Sequence, residues 1–193
     1  MAFLASIGEG QGEVEALPAL LYRLARLLEL PALSVTPPIR VKSGSFLNHE
    51  SYFRRHIELA ASKAIAYGGA VSILLDCDDD CPAKLGPRLL AQARAVRSDA
   101  KFFVSLAYRE LETWFIAAAE SLRGQFGLPA DLTRPANFES IRNAKGWLGE
   151  RMPDGYDPVR HQHLMAKEMD IGQALTARSF HRLAQHLPLI LQA

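Results

Sequence analysis

The chain opens on a short apolar run, Ala2 to Ile7, that leads into Gly8-Glu9-Gly10. This pattern predicts a buried strand ending in a tight glycine turn. From Val14 the spacing becomes helical, with Leu17, Leu20, Leu21, Leu24, Leu27 and Leu28 on one stripe and Tyr22, Arg23 and Arg26 on other faces. Pro18 falls near the start of that helix, where a missing donor is tolerated, and Pro31 closes it. Leu33 to Val41, broken by Pro37-Pro38, reads as an edge strand or strap, and Lys42 to Ser45 as polar loop. A second helix is predicted from about Asn48 to Tyr67, with Phe53, Ile57, Ala60, Ala61 and Ala64 on one face and Gly68-Gly69 as its stop. Ala70 to Leu75 is the clearest strand, apolar enough to be covered on both faces, with Asp76 at its C-terminal end.

Gly86-Pro87 marks the entry to a third helix, striped by Leu89, Leu90, Ala93 and Val96. Lys101 to Ala107 is another strand, followed by a helix over about Arg109 to Leu122. After a glycine- and proline-rich stretch, three helical segments are predicted near Phe138 to Met152, Val159 to Met169 and Arg178 to Leu191. Alternating strands and helices predict an α/β fold with a mostly parallel central sheet flanked by helices over residues 1–125. Residues 126–193 form a helical C-terminal extension packed on that core as part of one domain.

Composition narrows the function classes. The 193 residues are 49% hydrophobic, enough for a sizeable core. Lys and Arg number 22 against 21 Asp and Glu, so no global basic field advertises nucleic acid, and a polyanion would need a local patch or bridging cations. No stretch approaches the roughly 18 apolar residues of a membrane span, and the N-terminus lacks a signal-peptide pattern, so a cytoplasmic location and no membrane partner are expected. Cys77 and Cys81 are a poor zinc pair and are expected to be reduced, with the Cys77 thiol turned toward the core.

Candidate chemistry lies in two acidic runs, each after a strand: Glu9 to Glu13, and Asp76-Cys77-Asp78-Asp79-Asp80. Ligands of open parallel sheets collect beyond the carboxyl ends of strands. If the two strands are neighbours, Glu9, Asp76 and Asp78 face one another, and carboxylates that close repel unless protonated or neutralised by a hard cation. Oxygen donors favour Mg²⁺ or Mn²⁺ over zinc, and Glu13 offers a further oxygen. Two other readings stay open: a flexible glycine turn whose Glu13 and Glu15 suit a helix N-terminus, and a solvated loop whose Asp80 caps the next helix. Neither run completes a dinucleotide fingerprint or a P-loop. His161, His163, His181 and His186 read as ordinary polar residues, and Trp114, Phe115 and Trp147 as core.

The two acidic motifs together resemble the topoisomerase-primase (Toprim) domain. Gly8 to Pro18, Leu75 to Pro82, Arg109-Glu-Leu-Glu-Thr-Trp-Phe115, Ala144-Lys-Gly-Trp147 and Arg178-Ser-Phe180 are similar to the uncharacterised bacterial family known as domain of unknown function 4276. The resemblance implies a Toprim-like fold and, from relatives such as the overcoming-lysogenization-defect nucleases, metal-dependent cleavage of nucleic acid, DNA or RNA. It implies Glu9, Glu13, Asp76 and Asp78 as metal ligands, Glu112 as a further carboxylate, and Glu9 and Lys145 as catalytic, with Lys145 stabilising charge on a phosphate in the transition state. Two other classes are weighed beside it. One is a haloacid-dehalogenase-like phosphatase with Asp76 as nucleophile. The other is a non-catalytic binding or regulatory module that works with a protein partner in a bacterial defence-type system.

Overall fold

The structure, a computed structural model, describes residues 1–192. The chain runs β1 (Ala2–Gly8), α1 (Gln11–Leu27), β2 (Leu33–Val35), β3 (Ile39–Arg40), α2 (Ser43–Asn48), α3 (Glu50–Ala66), β4 (Ala70–Asp76), α4 (Pro82–Val96), β5 (Lys101–Ala107) and α5 (Glu112–Ala117). Short 3₁₀ turns follow at Ala119–Leu122 and Phe138–Ser140, then α6 (Ala144–Gly149), α7 (Pro158–Glu168), α8 (Ile171–Ala174) and α9 (Arg178–Gln192).

Every strand pairing is parallel, in the order β2-β1-β4-β5, with β3 joining the upper half of β1. The chain leaves β1 toward β2 and β3, then crosses back to place β4 on the other side of β1. The topological switch therefore lies between β1 and β4, where parallel sheets leave a crevice for ligands. The expected α/β architecture, a parallel sheet flanked by helices with a helical C-terminal part, is what the chain forms.

Side chains alternate between the two faces of the sheet with the period of a strand. Leu4, Leu74 and Phe103 join one core with α1 and the C-terminal helices, while Ala5, Ile7, Ile73 and Phe102 join a second with α2, α3 and α4. Among the described residues no helix is long and apolar enough to cross a membrane.

Several boundaries differ from expectation, each for a local reason. The polar loop expected at Lys42 to Ser45 already belongs to α2, which starts at Ser43 and buries Phe46. The third helix starts at Pro82, not at Gly86-Pro87. Cys81 is its N-cap and Pro82 takes the first turn, where its missing donor costs nothing, so Pro87 lies inside the helix. Pro18 also lies inside α1. That helix ends at Leu27, before Pro31, because Glu29 turns left-handed (φ 52°) while Leu30 N–H donates to Ala25 O and Glu29 N–H to Arg26 O. The helix expected over Arg109 to Leu122 shortens to α5 and a 3₁₀ turn, and the one expected over Phe138 to Met152 breaks into a 3₁₀ turn and α6.

Candidate functional site

β1 and β4 pair with Ile7 opposite Ile73, so Glu9 and Asp76 emerge side by side at the C-terminal rim of the sheet. Directly above β1 the chain enters α1, and Glu13 in its first turn folds back: Glu9 N–H donates to Glu13 Oε2 at 2.9 Å. An acidic side chain at a helix start answers unpaired backbone donors and the helix dipole. The tight turn expected at these glycines is made without left-handed backbone, since Gly8, Gly10 and Gly12 are not among the residues with positive φ. Gly12 is needed for space: a Cβ there would stand 2.3 Å from Pro158 O and 2.2 Å from Gln162 Oε1, where α7 crosses α1.

Beyond β4, Asp76 uses both carboxylate oxygens. Oδ1 accepts from Leu111 N–H at 2.8 Å, and Oδ2 lies 3.4 Å from Lys145 Nζ. Lys145 is brought there by α6, sixty-nine positions later in the chain. Its ammonium also donates to Glu110 Oε1 at 3.0 Å and lies 3.3 Å from Glu112 Oε2. Glu110 anchors the start of α6, with Oε2 accepting the N–H groups of Ala144 and Lys145. Glu112 is fully buried, and its Oε1 accepts from Tyr156 Oη at 2.9 Å and Gln162 Nε2 at 2.8 Å.

The structure thus gathers Glu9, Glu13, Asp76, Glu112 and Lys145 in one place. Glu112 is fully buried, and Lys145, about a third exposed, turns its ammonium into the cluster, so both belong to it. Asp78 stands at the exposed edge, close enough to Glu9 to repel its charge. Its backbone is left-handed (φ 45°), as is that of Arg109 (φ 62°), and Asp78 N–H donates to Arg109 O. Two non-glycine residues held in this region, one against the other, store strain at the rim. Asp79 pairs with Arg109 and Arg142 instead of joining the carboxylates, and Asp80 does not cap α4. Cys77 is buried and accepts from Arg109 N–H through its thiol, and neither cysteine is in a disulfide.

Glu110, Tyr156 and Gln162 have no counterpart in the sequence-derived site. The only signal for Glu110 was its place beside Glu112 in Arg109-Glu-Leu-Glu112. His161 accepts from Asp157 N–H and His163 lies 3.7 Å from Glu15, so neither faces the carboxylates. Trp114 and Phe115 are core, with Trp114 Nε1 donating to Ser179 Oγ. Trp147 is half-buried under the Arg151 guanidinium.

The electrostatics are those of acids short of positive charge. Burial pushes Glu13 up to about 7, with repulsion from Glu9 and Glu112 adding to it. Burial likewise drives Asp76 well above the usual carboxylate range, helped by Glu13 and opposed by Lys145. Glu9 is raised by burial against the pull of the Ser43 hydroxyl. Against the cost of its own burial, Lys145 is held above the ordinary lysine value by Glu112, Asp76 and Glu110. Tyr156 is held neutral by burial and by Glu112.

A divalent cation fits this donor set in its chemistry. The donors are oxygens, and Glu9 Oε2 is buried with no hydrogen-bond partner; Glu112 Oε2 is also orphaned, within ion-pair reach of Lys145 but not aligned for a hydrogen bond. Among the described residues, however, no three acidic, histidine or cysteine side chains already stand as a metal-holding group. Lys145 fills the gap between Asp76, Glu110 and Glu112 with its own charge.

No curated protein and no solved structure matches the chain. Residues 8–188 match the family described as Domain of unknown function (DUF4276), a span that contains every residue of the cluster, and the chain belongs to that family.

Proposed function

We propose that the chain is a divalent-metal-dependent phosphodiesterase of Toprim type that cleaves nucleic acid, DNA or RNA. The observation that carries this reading is the convergence of Glu9, Glu13, Asp76 and Glu112, buried or half-buried, at the switch point between β1 and β4. Holding so many acids together without function is costly, and perturbed acids in a crevice mark reaction sites. Glu9, Glu13, Asp76 and Asp78 would hold Mg²⁺ or Mn²⁺, with Glu112 behind them. A bound divalent cation supplies Lewis-acid polarisation of a phosphate oxygen and a lowered pKa for water.

The chain's own groups do the rest. Glu9, with an unpartnered oxygen and a raised proton affinity, accepts the proton of the attacking water. Lys145, tethered by Glu110, offers its ammonium to the charge that builds on the phosphate. Arg40 reaches Glu9 O and Gln11 Oε1 at the same rim, while Arg109 and Arg142 are paired there with Asp79, so the rim stays acidic on balance and a polyanion would need the bridging cation.

One observation favours a second reading. Because Lys145 already neutralises part of the cluster, the fold can hold its acids without a cation and serve as a non-catalytic binding or regulatory module for a protein partner. The phosphatase reading has less support, since both oxygens of Asp76 are engaged. Calorimetric titration with Mn²⁺, paired with cleavage assays on single- and double-stranded DNA and RNA, tests the proposal. Mn²⁺ binding and cleavage, both lost in Glu9→Ala and Asp76→Asn, are expected. Absence of metal binding sinks the enzyme reading and leaves the module.

A further inference from the structure

A groove of about 440 Å³ runs along the outer side of β5, between α4 and α9. β5 is the last strand of the sheet, and among the described residues no other strand pairs with its outer edge. The floor is apolar, built from Phe102, Val104 and Leu106 of the strand with Pro87 and Leu90 of α4. The wall given by α9 carries two exposed arginines. Arg178 is held by Glu139, to which its backbone N–H and its Nε donate, while among the described residues no carboxylate lies within ion-pair distance of Arg182.

At its upper end the groove reaches Tyr108, the first residue past β5, and a second hollow beside it shares Tyr108 and Arg178. The Tyr108 ring has the Arg109 guanidinium at 5.4 Å and that of Arg178 at 5.7 Å. From there the cations continue to the acidic cluster, because Arg109 and Arg142 both hold Asp79, the neighbour of Asp78. An apolar floor, an aromatic ring at the bend and a line of guanidinium groups therefore lead from the β5 edge to the carboxylates, with Arg178 paired to Glu139, Arg109 and Arg142 to Asp79, and Arg182 left for a phosphate.

We propose that this groove is the track along which an unpaired nucleic-acid strand reaches the cluster, with bases against the apolar floor and Tyr108 and phosphates toward Arg178 and Arg182. The inference rests on the nuclease reading and names its substrate as single-stranded. Grooves that follow a single strand combine cations for the backbone with aromatic faces for the bases. A duplex offers the same phosphates but keeps its base faces stacked, so it has nothing to set on Tyr108. A peptide strand added to the β5 edge would use the floor but would not explain why the cations continue past Tyr108 to Arg142.

The test uses the full chain in EDTA, so that binding is read without cleavage. Fluorescence anisotropy follows a mixed-sequence 12-nucleotide DNA strand and the duplex of the same sequence across a salt series. The single strand is expected to bind more tightly. Tyr108→Ala is expected to weaken that binding by about five- to hundredfold. In Arg182→Ala, an exposed position where folding is not at risk, the slope of log affinity against log salt should shrink by about 0.7. Arg54→Ala, on α3 and paired with Glu50 and Glu58, should change nothing. Equal or tighter duplex binding, an unchanged slope in Arg182→Ala, or no oligonucleotide binding at all overturns the track. Failure of the nuclease reading looks different: the strand binds and the Arg182 effect persists, but no cation brings cleavage.

Discussion

Glu110 holds Lys145 at both ends, accepting the backbone N–H of Lys145 with Oε2 at 3.1 Å and its ammonium with Oε1 at 3.0 Å. The same Oε2 accepts Ala144 N–H, so one carboxylate starts α6 and aims its lysine. These two roles separate by mutation. Glu110→Ala removes the acceptor at the helix start and should cost about 1–2 kcal/mol in urea unfolding. Glu110→Gln keeps an acceptor and most of that stability but gives up the charge that steers Lys145. It should lower kcat for metal-dependent cleavage by about tenfold with little change in KM. Equal stability loss in both variants would show that the acceptor is not what Glu110 supplies.

The raised proton affinity of Glu13 makes stability depend on pH in a direction opposite to that of ordinary salt-bridged acids. Its value moves from 4.5 to about 7, so across that window the folded chain keeps a proton that the unfolded chain releases. This contribution is fully present below pH 4.5 and lost as pH rises through about 7, an effect of at most about 3–4 kcal/mol. Glu9 and Asp76 shift the same way. Urea midpoints in EDTA should therefore fall between pH 5 and pH 8, and the fall should be smaller in Glu13→Gln. Parallel pH curves for the two proteins would remove Glu13 as the cause.

Glu112 joins the sheet's rim to the C-terminal helices by accepting from Tyr156 and Gln162 in a site closed to solvent. Glu112→Ala leaves both donors buried without an acceptor and opens a cavity, at a cost of about 3 kcal/mol. Tyr156 and Gln162 donate to the same oxygen, Oε1, so Glu112→Gln keeps a carbonyl acceptor for both and should cost less. Thermal melts of the two variants order them, and equal costs would mean the negative charge, not the acceptor, is what the site needs.

How much of this site could be read from the chain alone depended on whether a residue's place follows from local pattern. Glu9 and Asp76 could be placed because each ends a continuous apolar run, and such runs become buried parallel strands. That the strands are neighbours follows from the crossover, which local pattern does not specify. Lys145 and Glu112 entered only through their motif blocks. Tyr156 and Gln162 stand 44 and 50 positions from the carboxylate they serve, on segments whose docking is decided by tertiary packing. Gly12 is set by the same kind of distant packing: its demand for space comes from Pro158 and Gln162, which no local pattern announces.

Glu29 ends α1 in a backbone conformation that glycine adopts at far lower cost. Both hydrogen bonds of the cap are backbone bonds, so they survive any side-chain change. Glu29→Gly should raise stability by about 1 kcal/mol, the relief at φ 52° outweighing the added freedom of the unfolded chain. A lower midpoint in chemical unfolding would contradict this account of the helix end.

Lys145→Ala separates the enzyme reading from the module. The ammonium is the cluster's internal counter-charge, and its removal leaves Asp76, Glu110 and Glu112 to repel one another. Because the lysine head is about a third exposed and partly screened, the cost in metal-free buffer should be modest, about 1–2 kcal/mol. If the carboxylates are there to hold a cation, Mn²⁺ should compensate, raising the melting temperature of Lys145→Ala by more than it raises that of the wild type. Cleavage should nevertheless fall, since the ammonium no longer meets the phosphate. If the cluster is instead a self-neutralised module, Mn²⁺ will stabilise neither protein, and the loss in Lys145→Ala will persist at every Mn²⁺ concentration.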